Sequence, residues 1–447
     1  MKKIVNRSLA VTILAIGIIA GLLVYITRFF EQGENWALYF PGTGDSVEGS
    51  IYDRGGNLLA SFNADEQRYS DYASIREACY HVTGDYGGRV GSGLISSFWN
   101  GLRHYDIING VTISDDTSIS LTVDSSLNIF AYNLLAGRSG AIMMMNYKTG
   151  EILTMASSPS LDPLAEEDEE LPEGVFINRC INATYAPGSV FKLITSAAAI
   201  ENLDNLDEQR FYCDGDYITS GVLIKCSGEH YNQNFEQALA NSCNVAFAQI
   251  SIQVGQERLI EYAEKYGFLS ELNIDYMRTS AGHIMTEYAG DPETAWIGIG
   301  QSEDLITPYA MMRYVAAIAN GGMLVRPHII YADTVTASRL IEESTADRLK
   351  ELMINNVEKG YGSYYTFPDL KIGGKTGTGE TGYYIEEDLD EDGDPDSLSN
   401  VWFTGFLYDE EHPWAFVAVI EKDLGGGLTT TGVMMNTFLH QAIKSMS

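Results

Sequence analysis

Residues 185–193 read YAPGSVFKL. A Pro-Gly pair stops the chain at 187–188, and then Ser189 and Lys192 stand at the head of an apolar run that continues through Leu193 and Ile194 to Ile200. A helix that is apolar on nearly every side belongs in a protein interior. Ser189 and Lys192 are related by i,i+3, so they share one helix face with Cβ atoms about 5–6 Å apart. A buried lysine loses hydration, which disfavours its charged form and pulls its pKa down from about 10.4. The neutral amine can then take the proton of the neighbouring hydroxyl, activating a serine nucleophile without histidine. Ser189 also sits at the helix N-terminus, where free N–H groups favour developing negative charge. The plain alternative is a lysine that snorkels out of a core helix beside an idle serine.

The wider composition narrows the choice of function. The chain has 447 residues and is 45% hydrophobic, enough for a large core and two or three domains. Acidic residues outnumber basic ones by 61 to 28, a net charge of −33. Nucleic acids and anionic lipids need basic faces, so no nucleic-acid partner is expected. Leu9 to Ile26 is a run of 18 uncharged residues after Lys2, Lys3 and Arg7. That is about the length needed to cross the hydrocarbon, and the basic flank keeps the N-terminus in the cytoplasm. The rival, a cleaved signal peptide, lacks a clear small-x-small site.

The organisation expected is therefore a cytoplasmic tail at 1–7, a single-pass transmembrane anchor at 8–28, a small β-containing module at 29–120 and one large domain at 121–447. In the module, Gly55-Gly56 of "SIYDRGGNLLASF" reads as a hairpin turn. In the large domain, "SSLNIFAYNLLAG" reads as a helix and "GAIMMMNYKTGEILTMAS" as two strands joined by a turn. Helices are expected at 189–201, across 235–265 and in "TPYAMMRYVAAIANGG", where Thr307 caps and Pro308 opens the first turn. "VWFTGFLYDEEHPWAFVAVI" reads as an apolar hairpin, and 430–445 as a closing helix. Strands at both ends with helices between them predict an α+β fold, an antiparallel sheet flanked by helices.

Five cysteines do not make a disulfide scaffold. Cys213 and Cys226 bracket "CDGDYITSGVLIKC" and are placed to pair across a hairpin in an oxidising compartment. No CxxC or HExxH occurs and the seven histidines are scattered, so neither zinc nor any cofactor is expected. Two acidic stretches, at 166–170 and 386–396, read as solvated loops. The second matches five calcium-loop positions (Asp388, Asp390, Asp392, Gly393, Asp396) but carries Ser399 where a bidentate Glu belongs.

Ser189-x-x-Lys192 is the only S-x-x-K in the chain. Ser242-Cys243-Asn244 follows it, and Lys375-Thr376-Gly377-Thr378 follows that, in "LKIGGKTGTGE". S-x-x-K, S-x-N and K-T-G in this order are the signature of penicillin-binding proteins and related β-lactamases. With "NRCINATYAPGSVFKLITSAAAIE", "GQSEDLITPYAMMRYVAAIANGG" and "VWFTGF", the chain resembles a monofunctional, class B-type penicillin-binding protein, and its size is nearest the penicillin-binding protein A type. "GSIYDRGG" is similar to that family's membrane-proximal strand motif, with Glu48 where arginine is usual and Gly55 in place of asparagine. Decoy patterns stand at Lys148–Gly150, Ser61–Asn63 and Ser126–Asn128, outside the family's order.

The resemblance implies a peptidoglycan D,D-transpeptidase inhibited by β-lactams, with 29–120 as its pedestal and the catalytic domain outside the cell membrane. Ser189 would attack the carbonyl between two terminal D-alanines of a stem peptide, with Lys192 as base. Ser242 would relay the proton to the leaving amine, and Asn244 would hold Lys192 and the donor amide. Lys375 would tune Ser242 and help meet the terminal carboxylate, with Thr376 and Thr378 as hydroxyl partners. The N–H groups of Ser189 and Thr378 would form the oxyanion hole. Gly377 would let a substrate backbone lie close along the strand edge. Cys243 would be packing rather than chemistry. Implied partners are a membrane glycosyltransferase of the SEDS family and cell-wall assembly proteins. A D,D-carboxypeptidase or β-lactamase would use the same residues with water as acceptor. A β-lactam sensor or scaffold would keep the fold alone. Strict strand alternation sends Lys375 and Thr378 to opposite faces, so a twist or bulge is expected between them.

Overall fold

The computed structural model describes residues 2–31, 49–62, 68–96, 105–106, 110–111, 118–165, 170–284, 289–301, 303–361, 367–385 and 396–446. Residues 166–169 and 386–395, which carry most of the two acidic stretches and the calcium-loop reading, lie outside them.

A five-stranded antiparallel sheet forms the centre. Its strands are β1 (Gly140–Asn146), β2 (Ile152–Ser158), β3 (Ile372–Tyr384), β4 (Ser397–Leu407) and β5 (Trp414–Asp423), in the spatial order β3-β4-β5-β1-β2. Their runs, such as Ile142–Met145 and Phe416–Ile420, are apolar at consecutive positions because both sheet faces are covered. Alternation divides the side chains between two layers. Met143, Met145, Val417, Val419 and Trp402 face one core, while Ile142, Met144, Phe416, Ala418 and Phe403 face the other. Each such side chain, fully buried, is worth about 1.5–3 kcal/mol relative to exposure.

The second core is closed by helices α1 (Ser125–Leu135) and α5 (Val433–Met446), and the first by α2 (Lys192–Asn202), α3 (Asn244–Val254) and α4 (Pro308–Ala319). Side chains cap α1 and α4, that of Thr307 as the sequence cue expects. Asp124 accepts the N–H groups of Ser126 and Leu127, and the Thr307 hydroxyl accepts that of Ala310. The expected antiparallel sheet flanked by helices is what forms, with β3 at an open edge.

The N-terminal module is a small sheet in the order Arg68–Tyr69, Leu58–Phe62, Gly49–Tyr52, Ile119–Ser120, with a helix at Ala73–Thr83. The Gly55-Gly56 turn joins the two antiparallel strands, and Gly56 has φ +81°. Asp53 organises that turn: one carboxylate oxygen accepts the N–H groups of Gly55 and Asn57, and the other accepts the Ser125 hydroxyl at 2.5 Å. A bidentate Arg76–Asp162 pair makes a second tie to the large domain. Ile51, Leu59 and Ile75 share one core with Met143 and Leu193, so packing is continuous across the expected 120/121 boundary.

Residues Lys2–Glu31 form one 30-residue helix. Among the described residues, no helix is long and apolar enough to cross a membrane.

Candidate active site

Ser189 lies in a single 3-10 turn, Gly188–Val190, and α2 begins only at Lys192. The continuous helix expected from 189 is thus tightened at its start. In a 3-10 turn residues i and i+3 eclipse, which stands Lys192 directly beside Ser189. Gly188 permits the turn: its φ is +53°, and a Cβ there would lie 2.2 Å from the Thr378 carbonyl oxygen.

Lys192 is fully buried. Its Nζ lies 3.1 Å from Ser189 Oγ, donates to the Ser242 carbonyl at 2.6 Å and to Asn244 Oδ1 at 2.7 Å, and stands 5.5 Å from the Phe247 ring centre. A neutral amine has two N–H donors and one lone pair. Two carbonyl-type oxygens absorb the donors, which leaves the lone pair for the Ser189 hydroxyl. Burial lowers the Lys192 pKa from 10.5 to about 8, against a weaker upward pull from Cys243 and Cys226.

Ser242 occupies the turn before α3 in a left-handed conformation, φ +53°. Its hydroxyl lies 2.9 Å from Lys375 Nζ and 3.4 Å from Lys192 Nζ. Lys375 is also fully buried, and its second donor reaches the Thr376 carbonyl at 2.9 Å. Burial first, and the Lys192 charge second, hold its pKa well below the usual lysine value. Lys375 therefore lies beneath the cleft floor, and its potential reaches the cleft through Ser242.

Of the twist or bulge expected between Lys375 and Thr378, no bulge forms. Register with β4 is continuous from Ile372 to Glu380, and the irregularity falls later, between Glu380 and Tyr383. Alternation then assigns the faces. Lys375, Gly377 and Gly379 turn toward the serine segment, Thr376 lies against Tyr361, and Thr378 is exposed. Gly377 and Gly379 make room for the protein itself: Cβ atoms there would lie 2.7 Å from Pro187 O and 2.2 Å from Ala186 O. Close approach of the nucleophile turn is thus one reason for glycine at 377, beside the expected approach of a substrate backbone.

Three positioning residues have no signature in the linear chain. Trp402, opposite Gly377 on β4, donates its indole N–H to Ala186 O at 2.9 Å. Gln301 spans the open edge of β3, donating to Thr378 O at 3.2 Å and accepting from Glu380 N at 3.1 Å. The Tyr361 hydroxyl accepts the Thr376 N–H at 3.1 Å. The quoted "GQSED" and "VWFTGF" stretches contained two of them, but only contact geometry tells their roles. A cleft of about 1060 Å³ borders the same edge at Ala186 and Glu380 without including Ser189.

All five cysteines are free, so Cys213 and Cys226 are not paired. Both instead stand with His230 and Cys243, their four ligand atoms within 4.8 Å of one another. The scattered histidines of the linear chain concealed this grouping.

The arrangement, a serine facing a desolvated amine with a second serine bridging two buried lysines, suits acyl transfer without a metal at the nucleophile. Comparison with known proteins agrees. Residues 140–440 match the penicillin binding protein transpeptidase domain. The chain is 32% identical over 299 residues to stage V sporulation protein D of Bacillus subtilis, covering 61% of this chain and 46% of that protein. It is 29% identical over 339 residues to the peptidoglycan D,D-transpeptidase PbpA of Mycobacterium tuberculosis, covering 66% and 64%. The match thus spans between about half and two thirds of these relatives' lengths. In fold, it superposes on penicillin-binding protein A from M. tuberculosis, solved as a ceftriaxone acyl-enzyme complex, with a TM-score of 0.72, 22% identity and coverage of 89% and 98%. The D,D-transpeptidase domain from Eggerthella lenta gives 0.73 at 23% identity, with coverage of 90% and 100%. Fold, motif order and family match converge, and the chain belongs to the penicillin-binding protein transpeptidase family.

Proposed function

We propose that this protein is a serine-type peptidoglycan D,D-transpeptidase that β-lactams inhibit by acylating Ser189. The observation that carries the reading is the fully buried Lys192 amine standing 3.1 Å from Ser189 Oγ. The Ser189 hydroxyl oxygen bonds to the carbonyl carbon before the terminal D-alanine, and its proton passes to Lys192. The resulting oxyanion is held by the N–H groups of Ser189 and Thr378, each donor typically worth about 10²–10³ in rate. Collapse breaks the C–N bond, and a proton from Lys192 reaches the departing amine through Ser242, which touches both lysines. The amine of a neighbouring strand then takes the acyl group by the reverse path. Thr376, Gly377 and Thr378 present the β3 edge along which the stem peptide lies, and Asn244 anchors Lys192.

The N-terminal helix is proposed as the single-pass anchor, with its N-terminus in the cytoplasm and the catalytic domain outside the cell membrane. Val11, Ile13, Leu14, Ile18 and Leu23 are exposed around it, which suits lipid contact. The proposed partners are a membrane glycosyltransferase of the SEDS family and cell-wall assembly proteins.

The test is labelling with a fluorescent penicillin. The intact protein should carry one covalent label that resists denaturation, and Ser189→Ala should carry none while keeping its melting temperature. Equal labelling of both proteins defeats the assignment.

A further inference from the structure

Beside the acyl-transfer site, the fold gathers a C-x12-C-x3-H-x12-C set. Cys213 ends the strand Phe211–Cys213, which pairs with Tyr231–Gln233. Cys226 follows the hairpin Asp216–Thr219/Val222–Lys225, and its N–H donates to Gly215 O at 2.8 Å. His230 donates its backbone N–H to Cys213 O at 3.0 Å, which fixes where its ring starts. Cys243 caps α3 between Ser242 and Asn244.

Three of the distances between ligand atoms match a tetrahedron, and all four atoms lie within 4.8 Å of one another. Cys226 Sγ lies 3.8 Å from Cys243 Sγ, and His230 Nδ1 lies 3.5 Å from Cys226 Sγ and 3.7 Å from Cys213 Sγ. With Zn–S near 2.3 Å and Zn–N near 2.0–2.1 Å, a tetrahedral site requires S···S of about 3.8 Å and S···N of about 3.6 Å. The sulfurs also have the surroundings of metal thiolates. The N–H of Asn244 points at Cys226 Sγ and that of Ala246 at Cys243 Sγ, both at 3.3 Å. Cys213 and Cys243 are buried, whereas Cys226 and His230 are half-buried, so an ion can enter from their side.

We infer that Cys213, Cys226, His230 and Cys243 form a structural zinc site that clamps the Ser242-Cys243-Asn244 turn against the nucleophile. Three Zn–S bonds and one Zn–N bond form as three thiol protons leave to solvent, with no change of oxidation state. All four positions are filled by protein, so the ion is structural and takes no part in the reaction. Its effect is transmitted by geometry. The Ser242 carbonyl and Asn244 Oδ1, the two groups that orient Lys192, flank a ligand, and Asn244 Nδ2 donates to Lys225 O at 3.0 Å, next to another. The metal site stands apart from the acyl-transfer reading, and only its effect on acylation rests on that reading.

The experiment measures metal content and acylation in the full chain. Protein purified under reducing conditions without chelator should hold about one zinc per chain, and replacement by Co²⁺ should give the absorption of a tetrahedral cobalt thiolate. Cys226→Ser and the half-exposed His230→Ala should lose the metal, with circular dichroism to confirm that each is folded. Chelation should slow penicillin acylation about 10–100-fold, and added Zn²⁺ should restore it. Zinc below about a tenth of an equivalent after reduction and Zn²⁺ supply, full zinc in both variants, or a Cys226–Cys243 disulfide in zinc-supplied protein overturns the site. Zinc-independent acylation overturns the clamp. A protein that binds zinc but no penicillin in any form would defeat the transpeptidase reading and leave the metal site standing.

Discussion

Lys192 and Lys375 converge on one hydroxyl, that of Ser242, at 3.4 and 2.9 Å. Two fully buried amines so close cannot both hold a proton cheaply, and the Lys192 charge lowers the Lys375 pKa beyond what burial does. Ser242 thus bridges the two amines, the contact through which the proposed mechanism passes its proton.

Removing the amine separates chemistry from packing. Lys192→Met keeps the straight chain and deletes a desolvated nitrogen. Penicillin acylation should fall by about 10²–10⁴, the usual contribution of a general base. Stability at pH 7 should hold or rise, because the folded pKa of about 8 lies below the ordinary 10.5. Between those values the unfolded chain binds the extra proton and stability climbs with pH, and below them the cost of burial is fully present. Stopped-flow acylation and thermal melts check both halves; a variant that acylates at the native rate removes Lys192 as base.

The same titration sets a pH profile. The acylation rate should rise with pH as Lys192 deprotonates and level off above about 8. Lys375 faces the same hydroxyl, so Lys375→Met tests whether its charge acts on Lys192 at that midpoint. If Lys375 is protonated there, its loss should raise the Lys192 pKa, because a like charge disfavours protonation. An unchanged midpoint therefore means that Lys375 is neutral throughout, and a downward shift contradicts the coupling.

Gly377→Ala tests why glycine stands on β3. The added Cβ would meet Pro187 O at 2.7 Å and Val190 Cγ1 at 2.9 Å. Backbone must shift, at about 1–3 kcal/mol for overpacking, and the shift lands on the turn that carries Ser189. Acylation should drop at least tenfold in a protein that still folds. Native kinetics would mean that the turn yields freely.

Trp402→Phe removes the indole donor and leaves Ala186 O buried without it. The expected loss is about 1–3 kcal/mol, read by denaturant unfolding, with slower acylation as the turn loosens. A loss in stability with fully native acylation would show that the bond supports the core alone.

Much of the site was legible in the linear chain because S-x-x-K is local. Ser189 and Lys192 are neighbours by helical spacing, and their apolar surroundings already imply a desolvated amine. The motifs at 242–244 and 375–378 were legible as words in an expected order. Their meeting on one hydroxyl, 2.9 Å from Lys375, is a product of the sheet and helices that carry them. The edge glycines show the limit: alternation told which face each residue takes, but not that Pro187 and Ala186 fill the space beside them.

By itself the sequence determined the elements with local causes: the apolar periodicity of helices and strands, the cap at Thr307, and the lysine one turn from a serine. Tertiary structure alone decided which distant groups meet. Three cysteines and a histidine spread over residues 213–243 have no short-range spacing to betray them, because a hairpin, a strand end and a helix cap bring them within 4.8 Å. Short-range order follows from backbone sterics and hydrophobic period, whereas a contact across the fold depends on how whole layers pack.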